Sequence, residues 1–131
     1  MARQASEHPT ELELEILKIL WAESPMTVRD IRDRLADESR DIAHTSVITM
    51  LNIMFDKEYV DKRKDGKTFL YWPVVSEDGV SQKMLSDLVS RVFDGSAQRL
   101  VLNLIDGEEI GEAELLELRK LINQKVREQR K

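Results

Sequence analysis

The stretch HTSVITMLNIMFD, residues 44–56, carries side chains suited to reading the edges of DNA bases. Wound as a helix, it sets Val47, Met50, Leu51, Met54 and Phe55 on one apolar face and Thr45, Ile48, Thr49, Asn52 and Asp56 on the other. Asparagine can bond bidentately to adenine, threonine hydroxyls donate or accept, and the methyl groups of Ile48 or Thr49 can meet the methyl of thymine. An A/T-containing recognition sequence is the corresponding expectation. An ordinary polar surface has a similar composition, so the reading depends on what surrounds this helix.

Directly after it comes KRKDGKTFLYWP, residues 62–73, where Lys62, Arg63, Lys64 and Lys67 cluster around Asp65-Gly66. Cations on such a hairpin can pair with phosphates and release counterions, which positions a protein on DNA without specifying sequence. The same lysines could instead only discourage strand pairing at an exposed edge. The chain as a whole is acidic, with 20 Lys and Arg against 25 Asp and Glu and a net charge of -5. Any contact with nucleic acid must therefore be local. Asp41, Asp56 and Asp61 flank the site and should weaken nonspecific binding more than specific binding.

The elements that would hold these residues follow from periodicity. Thr10 and Glu13 form a capping-box pattern, and Leu12, Ile16, Ile19 and Leu20 recur at helical spacing as far as Ser24-Pro25, which predicts a first helix over about 10–22. Val28, Ile31 and Leu35, preceded by Thr27 as a cap, predict a second. The base-reading stretch is the third, ending near Lys57. The period then falls from 3.6 to 2, with Asp65-Gly66 as the hairpin turn and Pro73 as the stop. Phe69 and Tyr71 share one strand face, expected to point inward, and Leu70 and Trp72 take the other. Three helices and then a hairpin is the order of a winged helix-turn-helix.

Beyond residue 76 three more helical segments are predicted, around 78–93, over SAQRLVLNLID, and after GEEIG, with a break at Asp94-Gly95. Each is apolar on one side with little of its own to cover that side, so packing against a second copy of the chain is expected. The fold class is thus mainly α: a winged-helix domain over 1–75 and a three-helix dimerisation domain over 76–131. The interface candidates are Leu88, Val92, Leu100, Leu104, Leu118 and Ile122, which could alternatively form an internal core.

Other classes find no support. The chain has no cysteine and two separated histidines, so neither a disulfide framework nor a zinc site is expected. No nucleophile-base pair or phosphate loop points to an enzyme or a cofactor. The opening MARQASEHPT has no apolar leader region, and no apolar run approaches the length of about 18 residues that spans a bilayer. A soluble cytoplasmic protein, not inserted in a membrane, is the expectation.

AHTSVITMLNIMFDKEYVDKRKDGKTFLYWPV resembles the recognition helix and wing of the BlaI/MecI/CopY repressors. LELEILKILW is similar to that family's opening helix, and RLVLNLID to the stretch where its repressors are cleaved. The resemblance covers about residues 10–125. It implies a dimeric repressor binding double-stranded DNA at an inverted-repeat operator, reading bases with Thr45, Ser46, Ile48, Thr49 and Asn52. Backbone contacts would come from His44, Lys57, Lys62, Arg63, Lys64 and Lys67. Ile53, Glu58 and His44 stand where the family usually has an arginine, a glycine and an aromatic residue. The family also implies release through a membrane sensor protease, with Asn103-Leu104 at the position of an Asn-Phe cleavage site, although both residues could instead simply lie on a dimer helix; copper sensing through cysteine pairs is excluded. The competing reading is a winged-helix module that assembles a protein complex and binds no DNA.

Overall fold

A computed structural model describes residues 8–107 and 110–130. Part of the amino-terminal stretch read above, and Glu108 and Glu109 of the GEEIG segment, lie outside the described residues. Helices α1 (Glu11–Ala22), α2 (Val28–Asp37) and α3 (His44–Asp56) are followed by strands β1 (Val60–Asp65) and β2 (Thr68–Pro73), then by α4 (Glu77–Val92), α5 (Ala97–Asp106) and α6 (Glu112–Gln129). The chain divides into two compact units, one ending at Leu85 and the other starting at Ser86. The division falls inside α4, ten residues later than the expected boundary before it; Val80, early in α4, is buried.

Local chemistry starts the helices where the sequence signals them. The Thr10 hydroxyl accepts from the Glu13 amide at 3.3 Å, and the Thr10 amide donates to the Glu13 carboxylate at 2.8 Å. Thr27 and Asp30 repeat the device at α2. The apolar residues they bring into register then form one core: Ile16, Leu17 and Leu20 from α1, Ile31 and Leu35 from α2, Val47, Leu51 and Met54 from α3, and Val60 and Tyr71 from the hairpin. Burial of this kind is what holds short helices in place, since their intrinsic propensity is marginal. Met50 is half-buried against the core, whereas Phe55, expected on the same apolar face, is 37% exposed on the side of the hairpin.

The strands pair antiparallel from Val60↔Pro73 to Asp65↔Thr68. The two loop residues are therefore Gly66 and Lys67, and Asp65 is the last strand residue rather than part of the turn. Gly66 has φ +65°, a conformation that a Cβ would strain. The root of the hairpin is tied to the α1–α2 connection, where Met26 and Tyr71 exchange two backbone hydrogen bonds of 3.0 and 2.8 Å. The Trp21 indole donates to the Val75 carbonyl at 2.9 Å just beyond β2. Burial holds the Tyr71 phenol above its usual pKa. Phe69, expected to point inward like Tyr71, is 38% exposed, because the hairpin extends past the helices that cover its root.

In the second unit, α4 ends before Asp94 and Gly95, both at positive φ, and Ser96 caps α5 by accepting from the Arg99 amide at 3.2 Å. No residue of α5 or α6 is buried within the chain. The described residues contain no helix long and apolar enough to cross a membrane.

Candidate nucleic-acid interface

Helix α3 buries Val47, Leu51 and Met54, which turns Thr45, Thr49, Asn52 and Asp56 into an exposed ridge along its opposite side. At 13 residues it is about 20 Å long, enough to lie along a DNA major groove. Ser46 is exposed on the flank of the ridge. The Thr49 hydroxyl donates to the Thr45 carbonyl at 3.0 Å, so the outward character of Thr49 is its methyl group and its remaining acceptor capacity. Ile48 is less exposed than expected: it is half-buried, packs on the core and lines the groove between α3 and the hairpin.

Between α3 and the hairpin runs a groove of about 640 Å³. Thr27, Val28 and Arg29 enter it from the start of α2, His44, Ile48 and Asn52 from α3, and Lys62, Lys67, Thr68, Phe69 and Tyr71 from the hairpin. His44 is the first residue of α3, beside the amino-terminal amides of a helix whose cap, Ala43, has no side-chain acceptor to offer. Arg29, Arg63, Lys64 and Lys67 form no ion pair with any described residue, while Arg34, Arg40 and Lys57 in the same unit are each paired with glutamates. Arg29 and Lys67 thus bring unpaired positive charge to the groove beside the ridge in a chain of net negative charge, where it is available to an anion.

Two cations behave differently from expectation. Lys57 donates to the buried carboxylate of Glu13 at 2.9 Å, and its ammonium also lies 5.7 Å from the Tyr59 ring centroid. It fastens the end of α3 to α1 and is not oriented to serve a phosphate. The Lys62 ammonium lies 4.7 Å from the Phe55 centroid and 5.1 Å from that of Phe69. Arg40 holds the turn into α3 by bonding to Glu15 at 2.6 Å and Glu11 at 3.2 Å; the Glu15 hydrogen bond raises its pKa further. Arg29 was absent from the sequence reading, which gave Thr27 only as a helix cap. The signal was available in the order of elements, since the start of the helix before the recognition helix comes to lie beside it.

A profile described as the penicillinase repressor matches residues 9–124. The chain belongs to the penicillinase repressor family. Members of this family are transcriptional repressors rather than enzymes. The methicillin resistance regulatory protein MecI of Mammaliicoccus sciuri is 27% identical over 86% of this chain and 91% of its own length. The transcriptional regulator BlaI of Mycobacterium tuberculosis is 29% identical over 81% of this chain and 78% of its own. The solution structure of the DNA-binding domain of the repressor BlaI aligns at 24% identity with a TM-score of 0.49, covering 54% of this chain and 85% of that one.

The interface candidates of this penicillinase repressor relative are uncovered in the single chain. Leu88, Val92, Leu104 and Ile122 are exposed, and Leu100 and Leu118 half-exposed. The alternative, that they form an internal core, does not describe the second unit. Asn103 and Leu104 lie toward the carboxyl end of α5, where the Asn103 amide donates to the Arg99 carbonyl at 3.1 Å.

Proposed function

We propose that this protein is a sequence-specific DNA-binding transcriptional repressor that works as a cytoplasmic homodimer on an inverted-repeat operator. The observation that carries the reading is the convergence of Arg29, His44 and Lys67 on one groove beside the exposed Thr45–Thr49–Asn52 ridge, in a chain that is otherwise acidic. In this account the ridge enters the major groove, with Asn52 on an adenine and Thr45 and Thr49 on neighbouring edges. Arg29, His44, Arg63, Lys64 and Lys67 take the phosphates on either side and fix the register.

One ridge covers one half-site, and useful discrimination requires two. The uncovered apolar faces of α4, α5 and α6 supply the dimer, which sets the half-sites roughly 34–36 Å apart or a multiple of that spacing. Release by a sensor protease at Asn103-Leu104 belongs to the same proposal. A protease takes its substrate extended, so α5 must open locally before it is cut.

A gel shift with the upstream region of the protein's own gene tests the reading. A shifted, competitor-resistant complex is expected, whereas a protein-assembly module would leave the DNA unshifted.

A further inference from the structure

Lys62 differs from the other hairpin cations in where its ammonium lies. The strand register sets Lys62 and Lys64 on the same side as their partners Tyr71 and Phe69, and Arg63 on the other side with Leu70. On that inner side the Lys62 Nζ sits 4.7 Å from the Phe55 centroid and 5.1 Å from the Phe69 centroid. Both distances are inside the reach of about 6 Å over which an ammonium is attracted to a ring face. Phe55 belongs to α3 and Phe69 to β2, so one cation on β1 joins the recognition helix to the outer part of the hairpin. Both rings are more than a third exposed, and neither is part of the buried core.

We propose that Lys62 is a positioning residue that clamps the wing to the recognition helix through Phe55 and Phe69, and that it is not a phosphate contact. The inference rests on the DNA-binding reading above. Base contacts from α3 and phosphate contacts from the wing have to be made at the same time. The Met26–Tyr71 bonds and the core fix the root of the hairpin, but Phe69, Lys64 and Lys67 lie beyond them. The clamp fixes this outer part before DNA arrives, so less order has to be imposed on binding. Its loss can weaken binding by no more than the clamp itself stabilises the competent geometry, about twofold to fivefold per ring. Counterion release is untouched by losing a ring, whereas losing a phosphate contact lowers the salt slope by about 0.9.

Full-length Lys62→Met, Lys62→Arg, Phe55→Leu and Phe69→Leu are titrated on the upstream DNA across a salt series, with Lys64→Met as the comparator. Proton-carbon spectra of each free protein report the Lys62 ε-methylene. In the wild type that methylene is expected upfield, shifted by the two rings, and closer to its ordinary position in either Phe variant. Each Phe variant binds about twofold to fivefold more weakly at unchanged slope, and Lys62→Arg, which also stacks on rings, stays near wild type. Lys62→Met loses affinity with a slope change well under that of Lys64→Met. Phe variants that bind like the wild type, or a Lys62→Met slope loss equal to that of Lys64→Met, overturn the proposal. If the wild type binds no upstream DNA, the DNA-binding reading fails and takes the affinity claim with it. An unshifted ε-methylene in the free protein then overturns the clamp as well.

Discussion

The Lys57 ammonium and the Glu13 carboxylate meet at 2.9 Å although they are far apart in sequence, and the Glu13 side chain is only 1% exposed. The pair welds the carboxyl end of the recognition helix to the first turn of α1. Glu13 also accepts from the Thr10 amide, so its two oxygens are both engaged. Removing one partner of such a pair leaves the other buried and uncompensated, which costs more than the pair contributes.

Lys57→Met should therefore lower folding stability by on the order of 3 kcal/mol, seen as a lower urea midpoint at unchanged m-value. Its DNA salt slope should match that of the wild type. A stable Lys57→Met protein with a reduced slope would return Lys57 to the phosphate contacts.

Arg63, Lys64 and Lys67 form no ion pair with any described residue, and each alanine variant should reduce the salt slope of DNA binding by about 0.9 while weakening all sequences alike. Fluorescence anisotropy at several salt concentrations measures this. A wing that serves only to block strand pairing predicts slopes identical to the wild type.

The buried Tyr71 phenol has its pKa raised by burial, so the neutral form is favoured in the folded state. The unfolded chain gives up this proton first as pH rises through about 10. The stability that Tyr71 contributes is then fully present below that pH and is lost above it. Urea midpoints between about pH 9 and 11 should fall for the wild type and fall less steeply for Tyr71→Phe. Parallel curves for the two proteins would remove Tyr71 as the cause.

Leu104 and Ile122 are 42% and 57% exposed within one chain. Leu104→Asp or Ile122→Asp should yield a monomer by sedimentation at micromolar concentration, with the winged-helix unit still folded by circular dichroism. A wild-type monomer, or aspartate variants that remain dimeric, would contradict the proposed interface.

What the sequence made legible was local. The Thr10–Glu13 box, the Thr27 cap, the break at Asp94-Gly95 and the hairpin all depend on residues within a few positions of each other. The Met26–Tyr71 bonds and the Lys57–Glu13 pair join distant positions and leave no periodic trace. Period 2 correctly set Phe69 on the side of Tyr71, but periodicity gives direction and not depth, so the exposure of Phe69 was hidden. Ile48 was assigned outward for a related reason. A residue at the margin of a helical face is placed by its neighbour, here the hairpin, and not by its own spacing.

The central claim is sequence reading by the α3 ridge, and Asn52 tests it most directly. Wild type and Asn52→Ala are titrated against the operator and a set of single base-pair variants of it. Asn52→Ala should lose roughly 1–3 kcal/mol on the operator and lose discrimination at one base pair in each half-site. Equal weakening on every sequence, with discrimination intact at all positions, would contradict the account.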